Sequence, residues 1–192
     1  MRIGIIGAGF SGRAVARLAM LRGHEVMLSN CENPMMQASA MLRCQVGMPE
    51  AAAAFGDVVL LAVPFRWVQD IAPGVLAGKI VVDAGDDGPE RSSQYVAERF
   101  VGTRVVKALN VISEKDIEKH ARPAGSSDRR AIPVAGDDEH VKETISGLLD
   151  QLGFDVVDAG PLAEGWRFER GQIAFGGHLD RAGLVRALGD AG

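Results

Sequence analysis

Cysteine is scarce: there are two, Cys31 and Cys44, in 192 residues. They form no Cys-x-x-Cys pair and have no histidines at metal-binding spacing. They read as free thiols of a reducing compartment, so the expectation is a cytoplasmic protein with no structural disulfide and no metal. Long apolar runs are also missing. None reaches the ~18 residues that a membrane span needs, so no membrane partner is expected. Met1-Arg2 followed by Ile3-Gly4-Ile5-Ile6 is broken by glycine too soon for a signal peptide. Positive charge is not in excess: the net charge is −4. That excludes nucleic acid or an anionic membrane surface as the main partner, though it leaves room for a local phosphate pocket. His24, His120, His140 and His178 fall on a strand start, a loop, a helix and the tail. None has a carboxylate or lysine partner evident in sequence, and no Ser/His/Asp arrangement is visible.

What is abundant is glycine, with 24 residues, and regular alternation of apolar segments. Ile3 to Ile6 reads as a strand buried on both faces. Residues 11–22 follow in helical rhythm, with Gly23 as a C-cap. His24 to Leu28 is the next strand. Residues 34–44 read as a helix whose Met35, Met36 and Met41 are core filler. Asp57 to Val63 is the most apolar strand and is stopped by Pro64. Trp67 to Leu76 reads as a short crossover helix broken at Pro73-Gly74. Further strands are expected at Lys79–Asp83, Arg104–Leu109, Ile132–Ala135 and Phe154–Val157. Helices are expected at Ser92–Arg99, Glu139–Leu152 and Leu179–Leu188. Residues 114–130 read as a short helix followed by a mobile surface loop. This alternation predicts parallel β-α-β units with helices on both faces of a sheet. No internal repeat is present. Residues 1–160 read as one domain, and 161–192 as a C-terminal tail that completes the substrate side.

Gly7-Ala8-Gly9-Phe10-Ser11-Gly12 lies between the first strand and the first helix. In this pattern Gly7 permits the tight turn out of the strand. Gly9, lacking Cβ, lets a pyrophosphate approach the backbone, and Gly12 lets the helix pack close to the strand. The N–H groups at the helix start, with its dipole behind them, hold the phosphates. Strand, loop, helix and second strand occur in the required order, so the motif is read as a dinucleotide site. The predicted fold is therefore α/β, a Rossmann-type, doubly wound, mostly parallel sheet with a short C-terminal appendage.

The end of the second strand selects between NAD and NADP. Here it reads Ser29-Asn30-Cys31-Glu32-Asn33. Ser29 and Asn30 can bond a phosphate or a hydroxyl, and Arg13 and Arg43 are phosphate partners within reach in sequence. Glu32 reads equally as a ribose ligand or a solvated loop charge, so NADP is favoured only slightly and NAD stays open. In such sheets ligands lie outside the carboxyl ends of the strands. The rim is then Ala62, Val63, Pro64 and Trp67, followed by Ala84 and Gly85, followed by Ala108. Lys107 and Asn110 either orient a substrate or serve structure, as a snorkelling cation and a turn cap. The absence of an acid–base constellation fits hydride transfer, whose chemistry belongs to the cofactor.

Several segments together resemble the NADPH-dependent coenzyme F420 (deazaflavin) reductase family: IGIIGAGFSGRAVA, GHEVMLSN, VVLLAVPFRWV, KIVVDAGD, VVKALNVIS, IPVAGDD and LGFDVVDAGPLAEGWRFERG. The resemblance implies a homodimeric oxidoreductase. NADP would be held at Ala8 to Ser11, at Ser29-Asn30, and beside Val63, Pro64 and Ala108. A second redox molecule, coenzyme F420 or a flavin, would stack under the tail around Leu162 to Phe175. The family commonly carries a serine–arginine pair at the 2′-phosphate; here the stretch is Asn30-Cys31-Glu32, without arginine. Its Gly-Thr-Pro-x-Tyr tail is replaced by Gly171-Gln172-Ile173-Ala174-Phe175. Two other readings remain: a reductase of another small substrate, such as an imine, hydroxy acid or chelated metal ion, and a dinucleotide-binding regulatory protein without turnover.

Overall fold

A computed structural model describes residues 1–29, 44–86 and 93–192. The expected helix over 34–44, with Met35, Met36 and Met41, lies outside these residues apart from Cys44. So do Asn30, Cys31, Glu32 and Arg43.

Strand β1 (Arg2–Ile6) feeds helix α1 (Phe10–Leu21), and β2 (Glu25–Ser29) follows. Then come β3 (Gln45–Gly47), α2 (Pro49–Phe55), β4 (Val58–Leu61) and α3 (Phe65–Val68). A 3-10 turn at Pro73–Leu76 precedes β5 (Ile80–Asp83), α4 (Ser93–Arg99), β6 (Arg104–Lys107) and α5 (Glu114–Lys119). The chain closes with β7 (Ala131–Gly136), α6 (Glu139–Leu152), β8 (Asp155–Gly160), a 3-10 helix at Leu162–Phe168 and α7 (Arg181–Gly189).

The strands form one eight-stranded sheet in the order β3-β2-β1-β4-β5-β6-β7-β8. It is a Rossmann-like α/β sheet. Connections run outward in both directions from the β1–β4 boundary, so the topological switch point falls there. β1, β4 and β5 are buried along nearly their whole length, as a sheet covered on both faces requires. One apolar cluster lies on the α1/α6 side and includes Ile5, Leu28, Ile132 and Phe154. A second, on the other side, includes Ile6, Leu61, Leu76 and Phe100.

The structure departs from the sequence reading in several places. β7 runs antiparallel to β6 and meets it at two residue pairs, Val106↔Gly136 and Lys107↔Ala135, while β8 runs parallel to β7. The last two strands are thus inverted relative to the expected parallel units. A strand buried on both faces carries no sequence mark of its direction. β3 and α2 were not anticipated. α2 is an alanine run, Pro-Glu-Ala-Ala-Ala-Ala-Phe, with no amphipathic stripe to read; Pro49 at its first turn was the available signal. The crossover expected over Trp67–Leu76 is instead two separate turns, split where Pro73 starts the second. β6 stops at Lys107 rather than Leu109, because Leu109 takes a left-handed conformation, φ 67°. Residues 120–130 are not a mobile loop. Arg129 is buried and its Nη1 donates to Asp150 Oδ1 at 2.7 Å and to Asp155 Oδ1 at 2.9 Å.

The β1–α1 turn is the tightest packed junction. A Cβ on Gly12 would sit 1.9 Å from the Gly7 carbonyl oxygen and 3.3 Å from Ile5 Cγ2. Neither backbone can yield without opening the turn. Gly12→Ala is expected to lower unfolding free energy by about 3 kcal/mol, read from the shift of the urea midpoint. An unchanged midpoint would mean that the turn relaxes freely.

Candidate functional site

At the carboxyl ends of β1, β4, β5 and β6 the three motif glycines are constrained in different ways. Gly7 has φ +119°, and a Cβ there would lie 2.2 Å from the Ala62 carbonyl oxygen. Its N–H donates to the Ser29 carbonyl at 2.9 Å, which ties the β1 and β2 ends together. Gly12 is excluded from any larger residue by the contact above. Gly9 is different. It adopts φ −66°, ψ −174°, an extended conformation open to any residue. A Cβ on it would meet nothing within 4 Å. Neither backbone geometry nor packing within the chain explains a glycine here, whereas a ligand lying on the backbone does.

Helix α1 begins at this point. Gly9 is its N-cap, no side chain caps it, and no acidic residue stands in its first turn. The N–H groups at its start have no side-chain acceptor there, and the helix dipole adds positive potential. An uncapped N-terminus beside an open Gly9 fits a pyrophosphate. Phe10 and Ser11 are exposed next to it, and the Arg13 guanidinium lies 5.2 Å from the Phe10 ring centroid.

From Ser11 a cleft of about 280 Å³ runs across the ends of β5 and β6. Ala84, Asp86, Asn110 and Ser113 line one side. Arg170, Phe175 and Gly176, from the C-terminal segment, close the other. Arg170 spans the opening: its Nη2 donates to Asp86 Oδ2 at 2.8 Å, and its guanidinium lies 5.3 Å from the Phe175 ring centroid. Ala62 is half-buried at the β4 end, Val63 is buried and Pro64 is exposed. Ala84 is half-buried, while Gly85 and Ala108 are buried. Ser29 is fully buried. Trp67 stands apart and lines a separate cleft of about 170 Å³ with Pro49 and Ile71.

The residues that hold the cleft in shape were the least legible. Lys107 does not snorkel: it is 1% exposed, and its Nζ pairs with Glu169 Oε1 at 3.0 Å. Its aliphatic stem runs against Gly165, where a Cβ would lie 2.7 Å from Lys107 Cδ. This pair ties the end of β6 to the C-terminal segment. Asn110 is buried and its Nδ2 donates to the Phe168 carbonyl at 2.9 Å. Behind them the Val111 carbonyl accepts two hydrogen bonds, from Arg130 Nη2 at 2.7 Å and from the Gly176 N–H at 3.1 Å.

Arg130 is itself buried. Burial holds its guanidinium below the ordinary arginine value, opposed by Asp116. Its Nη1 lies 3.2 Å from His120 Nδ1. A guanidinium only donates, so Nδ1 accepts and the ring proton sits on Nε2, 3.5 Å from Asp116 Oδ1. His120 therefore has a carboxylate partner that the sequence did not reveal. Burial lowers its pKa, Asp116 raises it, and the nearby His178 and Arg130 lower it further. His120 works as a neutral brace, its ring centroid 4.3 Å from that of His178 and tilted 40° to it. Among the described residues, no group of three potential metal ligands occurs, and no helix is long and apolar enough to cross a membrane.

Residues 2–86 match the family described as NADP oxidoreductase, coenzyme F420-dependent. The resemblance read from the sequence is borne out over these residues. Metalloreductase STEAP3 of Rattus norvegicus is 29% identical over 172 residues, covering 84% of this chain and 34% of that protein. The chain thus spans about a third of the length of this curated relative. A hypothetical protein from Sinorhizobium meliloti superposes with a TM-score of 0.78 at 26% identity, over 93% of this chain and 94% of that one. A provisionally assigned F420-dependent NADP-reductase from Arthrobacter sp. FB24 shares the fold at a TM-score of 0.70 and 24% identity, over 84% of this chain and 85% of that one. NADP-linked oxidoreduction is named both for the family and for the Arthrobacter neighbour.

Two outcomes test this description. Gly9→Val is expected to fold and melt like the parent yet lose at least about a hundredfold in NADPH affinity by calorimetry, because the side chain fills the space above the loop. Normal affinity would remove the loop from the site. Glu169→Ala strands the Lys107 ammonium. The expected loss of unfolding free energy is on the order of 2 kcal/mol, less than for a wholly buried pair because Glu169 keeps some contact with water. Urea denaturation measures it, and no loss would show the pair to be incidental.

Proposed function

We propose that this protein is an NAD(P)-dependent oxidoreductase that passes hydride between NADP(H) and a small redox molecule, a flavin or the deazaflavin coenzyme F420, held over the nicotinamide. The observation that carries the reading is Gly9: a glycine with no conformational or packing reason to be one, set at an uncapped helix N-terminus that opens into a cleft.

In this reading the pyrophosphate lies along Gly7 to Gly12 and takes hydrogen bonds from the first turn of α1. Ser29, at the end of β2, borders the adenosine ribose. Ala62, Val63 and Pro64, then Ala84 and Gly85, then Ala108, offer small or flat surfaces along which the cofactor can lie. Their lack of bulk is what close approach to the strand ends requires. The reduced nicotinamide supplies the hydride, two electrons and one proton's mass in a single transfer, so no side-chain acid or base has to act at the carbon. The protein's part is to bind, orient and exclude water. Phe175 and Arg170, both lining the cleft, offer a side against which a flat ring can stack. The Asp86–Arg170 pair spans the same opening and must be passed or displaced when the second substrate enters. The family resemblance further supports a homodimer, which sedimentation of the purified protein checks.

The test is titration of NADPH and NADH, followed by NADPH oxidation with FMN, FAD, coenzyme F420 and a ferric chelate. Tight NADPH binding with turnover of a flavin or the deazaflavin is expected. Binding without turnover of any acceptor would contradict the enzymatic reading, and preferred NADH binding would contradict the NADP assignment. Turnover of the ferric chelate alone would replace the flavin-like acceptor.

A further inference from the structure

We propose that Asn110 reads the carboxamide of the nicotinamide, its Oδ1 accepting a hydrogen bond from the carboxamide N–H and so fixing the rotation of the ring. This rests on the cofactor reading above. Asn110 lines the cleft that begins at Ser11 of the glycine loop, and it is 5% exposed. Its Nδ2 is committed to the Phe168 carbonyl at 2.9 Å. Turning the amide over would set Oδ1 against that carbonyl oxygen, acceptor against acceptor, so the orientation is fixed. Among the described residues no donor reaches the buried Oδ1. A buried acceptor left bare costs about 1–3 kcal/mol, so Oδ1 calls for a donor from outside the chain, a ligand or an ordered water.

The backbone shows the same purpose. Leu109, immediately before Asn110, is the one non-glycine among the described residues with positive φ, at 67°. That conformation costs on the order of 1 kcal/mol for such a side chain and persists only where the surroundings enforce it. The restraint on the far side of Asn110 is Val111. The Val111 carbonyl is clamped by Arg130 at 2.7 Å and by the Gly176 N–H at 3.1 Å. Strain on one side of Asn110 and a double clamp on the other hold this residue of the cleft wall in place with its amide locked. The matching ligand chemistry is a primary amide N–H. The nicotinamide carboxamide is such a group, on the end of a cofactor whose pyrophosphate the adjacent loop fits.

The experiment compares calorimetric titrations of NADPH and its reduced 3-acetylpyridine analogue, in which a methyl ketone replaces the carboxamide. The analogue keeps the carbonyl but has no N–H to give. The parent protein is expected to prefer NADPH about tenfold, and Asn110→Leu to bind the two within about twofold. Equal binding by the parent, or a preference that survives in Asn110→Leu, would overturn the proposal. Should Asn110→Leu fail to fold, Asn110→Ala takes its place with the same expectation. A parent that binds neither dinucleotide would instead defeat the cofactor reading, and that result is distinct from equal binding of both.

Discussion

The contact on which the site depends is the close approach of Gly12 to the Gly7 carbonyl. It sets the start of α1 directly against the end of β1 and leaves room for no side chain between them. Because the helix is seated there, its uncapped N-terminus faces the switch point of the sheet. Because Gly7 can adopt a positive φ, the chain turns sharply enough to do this while still donating to Ser29 at the end of β2. Three adjacent strand ends, β2, β1 and β4, are thus fixed around one loop. The remaining parts of the cleft are added to that frame.

The opposite wall is assembled from the C-terminal half by polar contacts that cross long sequence distances. Lys107 with Glu169, Asn110 with Phe168, and Arg130 with Val111 join β6 and its following loop to the C-terminal segment and to the start of β7. A buried cation such as Arg130 is costly unless its hydrogen bonds are met, and here a backbone carbonyl and a neutral histidine meet two of them. The brace is insensitive to charge only while His120 stays unprotonated. Burial, Arg130 and His178 all favour that form. The inversion of β7 and β8 is part of the same construction. β7 touches β6 over only two pairs, and the 3-10 helix at Leu162–Phe168 packs beside both strands. That places Phe168 and Glu169 within reach of Asn110 and Lys107.

The N-terminal half was legible because its signals are local. The glycine loop, the apolar strands and the turn at Pro64 each announce themselves within a few residues, and the resemblance of the longer segments agreed with them. The cleft wall was not legible, for a physical reason. Lys107 looks the same in sequence whether it snorkels or pairs with a carboxylate 62 positions away. Arg130 and His120 gave no hint of burial, because charged residues in a segment interrupted by Pro123 and Gly125 read as surface loop. α2 was missed because alanines carry no periodic contrast, and the direction of β7 because it is not written in a fully apolar stretch. The strained residue was hidden too: nothing in the type of Leu109 foretells φ > 0.

A crystal structure of the protein with NADP bound tests the central claim most directly. The account predicts the pyrophosphate lying on the Gly9 backbone at the start of α1, with the nicotinamide entering the cleft beside Asn110. Dinucleotide density elsewhere, with Gly9 left open to solvent, would contradict it.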